Sequence, residues 1–210
     1  MKHIIVYVHG KGGSAAEAGH YSSLFPDGEV IGFDYRAQNP WEAREEFPAF
    51  FAGQRTRCGR LTLITNSIGA FFSLCALNET LVDDACLISP VVDMEKLIGS
   101  MMQWAGVTEQ ELMEKREIPT AFGETLSWEY LCYVRAHPVS WRVPTRILYG
   151  ERDNLTSRET ITAFAEKTGA ALTAMPDGEH WFHTEEQMRF LDGWIKAQEK
   201  ETGTEKRAGI

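Results

Sequence analysis

The sequence predicts an α/β fold, a three-layer α/β/α sandwich on a mainly parallel sheet. Three observations lead there. Strand-like and helix-like segments alternate along most of the chain, the strands run into glycine-containing or polar turns, and one helical stretch is apolar on nearly all sides. A helix of that last kind has to be buried, and repeated strand–helix alternation places helices on both faces of a sheet.

The elements follow in order. Lys2 to Val8 reads as a strand that ends in His9-Gly10-Lys11-Gly12-Gly13-Ser14, and Ala15 to Leu24 as a helix. Glu29 to Phe33 is the next strand, Trp41 to Phe51 a helix interrupted by Pro48, and Leu61 to Thr65 a strand. The apolar helix runs from about Ile68 to Leu77, followed by a short strand from Ala85 to Ser89. Thr145 to Tyr149 is a strand, and Thr156 to Thr168 a helix opened by a Thr156/Glu159 capping box and closed by Gly169. Ala171 to Met175 is the last strand, Asp177-Gly178 a turn, and Thr184 with Gln187 caps a final helix carrying Met188, Leu191 and Ile195. Between Asp93 and Arg142 no strand is evident but helical signals recur, so residues 93–142 read as a helical, cap-like insertion over the sheet edge.

At 210 residues, without a linker-like stretch, residues 1–200 are expected to form one domain, with 201–210 a polar, disordered tail. No run approaches the roughly 18 apolar residues of a membrane helix. The amino terminus lacks the pattern of a signal peptide and reads as the first strand of a cytoplasmic protein. A formal charge of -9 disfavours nucleic acid and anionic membranes, which are bound through clustered Lys and Arg, and suits small neutral or cationic substrates. Cys58, Cys75, Cys86 and Cys132 stand singly and read as buried thiols in a reducing compartment. His9, His180 and His183 have no metal-site spacing, so neither metal nor cofactor is expected, and nothing indicates an oligomeric state.

In parallel α/β sheets the chemistry lies at the carboxyl ends of strands. Leu61 to Ala70 sets Ser67 between an apolar strand and an apolar helix, the context of a nucleophile elbow, where the next amide, that of Ile68, points at a developing oxyanion. A helix-capping serine would occupy the same position without being a nucleophile. Gly69 meets the need for a small residue on the helix side, whereas Thr65 stands where the strand side usually has glycine and should crowd the neighbouring helix. The glycine-rich loop after the first strand lets backbone amides approach a ligand, with Lys11 as the second oxyanion donor, and its spacing does not match a phosphate-binding loop. Asp153 and His180 each follow a strand, giving the order Ser, Asp, His. Ser67 is too weak an acid to attack alone; His180 takes and returns its proton, and Asp153 fixes the imidazole tautomer. His183 is the alternative base and Asp93 the alternative acid.

The motifs HGKGGS, NSIGA, GERDN and GEHWFHTEE, spread over Met1 to about Lys200, resemble those of the α/β-hydrolase superfamily and in particular its small bacterial serine carboxylesterases. The resemblance implies an eight-strand-derived sheet lacking its first strands and an acyl-enzyme route through two tetrahedral intermediates. The expected activity is cleavage of a small carboxylic ester, short-chain or aromatic. A thioesterase, amidase or peptidase on the same fold, or a catalytically silent binding protein, are the alternatives. Met101, Met102, Trp104, Met113 and Phe122, with Trp128, Tyr130, Tyr133 and Trp141, either line an acyl pocket or pack the insertion onto the sheet.

Overall fold

The computed structural model describes the backbone of residues 2–208 and the side chains of residues 2–197. Its strands are β1 (His3–Val8), β2 (Gly28–Gly32), β3 (Arg60–Asn66), β4 (Asp84–Ile88), β5 (Glu117–Pro119), β6 (Thr125–Ser127), β7 (Thr145–Gly150) and β8 (Ala171–Met175). Its helices are α1 (Ala18–Tyr21), α2 (Pro40–Arg55), α3 (Ser67–Ala76), α4 (Met94–Ala105), α5 (Glu109–Lys115), α6 (Trp128–Ala136), α7 (Arg158–Thr168) and α8 (Glu185–Ala208).

Six strands form one sheet in the order β2-β1-β3-β4-β7-β8, and every pairing in it is parallel. Alternation along β1 shows how the sheet is covered. Ile4, Val6 and Val8 join one core, with Phe47 and Phe51 of α2 and Phe71 and Phe72 of α3. Ile5 and Tyr7 join a second core, with Tyr21 of α1 and Leu191, Trp194 and Ile195 of α8. Strands buried on both faces read as unbroken apolar runs, as IIVYV does here. Because all six strands point the same way, the segments after β1, β3, β7 and β8 emerge at one edge. The strand order reverses beside β1, which opens a crevice between the loop after β1 and the turn after β3.

Several expectations need correction. Pro48 does not interrupt α2, which is continuous from Pro40 to Arg55; burial of Ala43, Phe47 and Phe51 on one face outweighs the local cost of proline. The 93–142 insertion is not purely helical, since β5 and β6 pair as a short antiparallel hairpin. Its turn is built by Gly123 at φ 85° and by Thr120, whose amide donates to the Glu124 carbonyl at 2.7 Å. The cap of α7 is Ser157, one residue later than expected; the Thr156 hydroxyl donates instead to the Pro90 carbonyl at 3.2 Å. Ala15 to Leu24 is one α-helical turn, α1, flanked by 3-10 turns. Cys86 alone of the cysteines is buried, and Cys132 is exposed because α6 turns Leu131 and Val134 inward instead. The backbone of α8 is helical to Ala208, through most of the expected 201–210 tail, with no proline to stop it; residues 209 and 210 lie outside the described residues. No helix among the described residues is long and apolar enough to cross a membrane.

Candidate active site

Ser67 sits at φ 52°, a left-handed conformation that costs a non-glycine residue on the order of 1–3 kcal/mol. The preceding Asn66 is extended and α3 begins at Ser67 itself, so strand becomes helix within one residue. Gly69 permits the turn: a Cβ there would lie 2.3 Å from the His9 carbonyl oxygen. Thr65 is fully buried, and its hydroxyl has no partner among the described residues. The turn forms with threonine in place, contrary to the crowding expected of it. Behind the turn, the Val91 amide donates to the Ser67 carbonyl at 3.1 Å.

The structure brings Ser67, His180 and Asp153 together. Ser67 Oγ lies 2.8 Å from His180 Nε2, and His180 Nδ1 lies 2.7 Å from Asp153 Oδ2. The Asp153 side chain is 0% exposed and that of His180 15%. Asp153 Oδ1 accepts the amides of Leu155 and Thr156 at 2.8 and 2.9 Å, which fixes the carboxylate plane. The loops bearing the two residues interlock, as the Arg152 amide donates to the Gly178 carbonyl at 2.8 Å. Gly150 makes this approach possible, since a Cβ there would stand 2.5 Å from the Gly178 oxygen.

The two rivals are placed elsewhere. His183 stacks on Trp181 with ring centroids 4.6 Å apart, and its Nδ1 bonds the Trp181 carbonyl at 2.7 Å. Asp93 is the N-cap of α4, its carboxylate accepting the Lys96 amide at 2.9 Å.

Opposite Ser67 lies the loop after β1, so close that a Cβ on Gly10 would be 3.1 Å from that of Ser67. The Gly10 carbonyl accepts from His9 Nδ1 at 2.8 Å and from the Gly13 amide at 3.2 Å. The peptide is trans, so the Lys11 N–H points away from those two donors. Tyr35, just beyond β2, holds His9 in place: the rings stack at 4.4 Å, and the hydroxyl donates to the His9 carbonyl at 2.9 Å. Burial, with the nearby Glu46 and Glu17 carboxylates, pushes the Tyr35 phenol up to about 12, so it stays a donor at neutral pH. Sequence reasoning missed Tyr35 and this use of His9. Their one available signal was position, since both follow strands at the carboxyl edge.

Ser67, Ile68, Gly10 and Lys11 line a cavity of about 700 Å³. Of the insertion's sulfur-containing and aromatic residues, Met101, Trp104, Phe122 and Tyr130 also line it, and Met102 and Trp141 are buried in the core. Trp104 and Phe122 meet edge-on at 6.1 Å, both partly exposed. The carboxylate of Glu124, on the hairpin, pairs with Lys11 Nζ, and both residues line the cavity.

No family model and no curated protein sequence matches this chain. Solved structures do. Est1E from Butyrivibrio proteoclasticus superposes with a TM-score of 0.73 at 14% identity, over 95% of this chain and 87% of that one. Alpha/beta hydrolase domain-containing protein 10 from mouse gives 0.75 at 15% identity, over 95% and 90%. The Pyrococcus furiosus esterase PF2001 gives 0.61 at 17% identity, over 95% and 81%.

Proposed function

From the α/β-hydrolase fold that the chain shares with these structures, we propose that it is a serine hydrolase cleaving a small, uncharged carboxylic ester through Ser67, His180 and Asp153. The observation that carries this reading is the unbroken chain of contacts from Ser67 Oγ through both nitrogens of His180 to a fully buried Asp153 carboxylate. A capping serine has no need of a strained φ or of an imidazole at hydrogen-bond distance.

Asp153 Oδ2 holds a proton on His180 Nδ1, which leaves Nε2 as a base facing Ser67 Oγ. As Oγ attacks the ester carbonyl carbon, its proton passes to Nε2, and the carbonyl π electrons move onto the oxygen. The amides of Ile68 and Lys11 meet that oxyanion; a missing donor of this kind typically costs about a hundredfold or more in rate. Collapse breaks the bond to the alcohol oxygen, which takes the proton from Nε2. The acyl group stays on Ser67 until His180 deprotonates a water that attacks it, and a second collapse restores the serine and releases the acid.

An uncharged substrate is favoured because Lys11 and Glu124, which face the cavity with opposite charges, neutralise each other. The net charge of -9 argues against nucleic acid as a partner, and four cysteines that form no disulfide among the described residues fit a reducing, cytoplasmic setting.

Release of p-nitrophenol from short-chain p-nitrophenyl esters tests the reading. The wild type is expected to turn over, with Ser67→Ala and His180→Ala each slower by several orders of magnitude. A Ser67→Ala variant with wild-type kcat/KM would sink it.

A further inference from the structure

A cleft of about 350 Å³ shares one lining residue with the cavity that holds Ser67: Met94, the first residue of α4. The neighbouring residues divide between the two spaces. On α3, Phe72 lines the cavity and Phe71 the cleft; on the segment entering α4, Val91 lines the cavity and Val92 the cleft. On α6 the same division falls between Tyr130 and Val134. Met94 is 5% exposed and belongs to the same core cluster as Phe71, Phe72, Val91, Val92 and Val134, the residues that divide between the two spaces. Its backbone is fixed by the Asp93 cap.

We infer that Met94 is the partition that limits how long an acyl group the site accepts, and that the acyl groups taken are uncharged, apolar chains reaching from Ser67 toward it. The inference rests on the serine-hydrolase reading. His180 must protonate the departing alcohol, which therefore leaves on the His180 side. The acyl carbon stays on Ser67, whose helix presents Ile68 and Phe72 to the cavity and whose carbonyl is tied to Val91, three residues before Met94. Beyond the partition the cleft offers further apolar wall, Phe71, Val92, Val134 and Phe164, with Asp93, Lys96, Glu159 and Lys167 also lining it. Methionine is unbranched and adaptable, so it can seal an irregular wall against chains of somewhat different shape.

The test is kcat/KM for p-nitrophenyl esters from acetate to palmitate with wild type, Met94→Ala and Met94→Leu. In the wild type each added methylene should raise kcat/KM by about fourfold, the equivalent of ~0.8 kcal/mol, until the chain meets Met94 and the values fall. Met94→Ala should move the maximum to longer chains by two or more carbons, and Met94→Leu, which keeps the bulk, should not. Met94→Val should shift it in the same direction as alanine, and serves if the alanine variant folds poorly. A uniform change across all acyl lengths in Met94→Ala, or a shift appearing only when the alcohol is varied instead, would overturn the inference. Binding separates its failure from that of the hydrolase reading. In a Ser67→Ala background, Met94→Ala should tighten binding of 1-dodecanol about tenfold while leaving 1-butanol unchanged. Equal affinities overturn the partition. Tighter binding with no ester cleavage by the wild type upholds the partition and overturns the hydrolase reading.

Discussion

Asp153 meets His180 with only one of its two oxygens: Oδ2 lies 2.7 Å from Nδ1, while Oδ1 accepts the amides of Leu155 and Thr156. The first contact sets the imidazole tautomer, and the second stops the carboxylate from rotating. Both are made by a side chain that is 0% exposed, so neither competes with water.

Asp153→Asn separates the two contacts. The amide oxygen can keep the bonds from Leu155 and Thr156, which turns the NH2 toward His180 Nδ1. Nδ1 must then accept, Nε2 carries the proton, and His180 can no longer take one from Ser67. We expect kcat to fall by on the order of 10⁴ with little change in melting temperature. Asp153→Ala should add a loss of stability, because two backbone amides lose their acceptor. Ester kinetics and thermal melts of the two variants check this, and wild-type kcat in Asp153→Asn would contradict it.

The backbone at Ser67 yields a prediction of opposite sign for stability. Glycine adopts φ 52° without strain, so Ser67→Gly should stabilise the fold by about 1 kcal/mol and raise the melting temperature by roughly 2–4 °C while abolishing hydrolysis. Ser67→Ala keeps a Cβ in the strained conformation and should show no such gain. Differential scanning calorimetry distinguishes the pair.

Much of this was legible in the sequence because both faces of the central sheet are covered, so β1, β3, β4 and β7 read as largely apolar runs; the carboxyl ends of β3, β7 and β8 then locate Ser67, Asp153 and His180. What was not legible depends on contacts distant in sequence. The β5–β6 hairpin has three-residue strands, too short for any alternation to register. Thr156 looked like a helix cap because only the fold shows its hydroxyl engaged with Pro90. Pro48 argued locally against a helix that Phe47 and Phe51 hold together through burial. The His9–Tyr35 stack joins residues after two different strands, and Met94 gains its position only where α3, α4 and α6 meet.

Thr65 carries a buried hydroxyl with no partner among the described residues. Thr65→Val removes that hydroxyl and keeps the branched shape, so stability should rise by up to about 1–3 kcal/mol, the usual cost of an unsatisfied buried polar group. Catalysis should be unchanged, since the hydroxyl takes no part in the proposed chemistry. Denaturant titration together with ester kinetics tests both halves, and a loss of activity would implicate the hydroxyl in shaping the elbow.

Alkaline stability follows from the tyrosines. Burial pushes the phenols of Tyr7, Tyr21, Tyr35 and Tyr130 above their ordinary value of 10.0. Below that value both folded and unfolded chains keep these protons, so the contribution is fully present. Above it the unfolded chain releases protons that the folded chain retains, and stability falls as the pH rises toward the folded value, about 12 for Tyr35. Melting temperature should drop between about pH 10 and pH 12, with tyrosinate absorbance from these residues appearing on unfolding. An unchanged melting temperature across that range would contradict the burial assigned to these rings.

A Ser67 activated by His180 should react with a fluorophosphonate, and intact mass spectrometry reads the adduct. We expect a single adduct on the wild type, located at Ser67, with none on Ser67→Ala and much slower labelling of His180→Ala. Equal labelling of Ser67→Ala, or a folded wild type that takes no label, would contradict it.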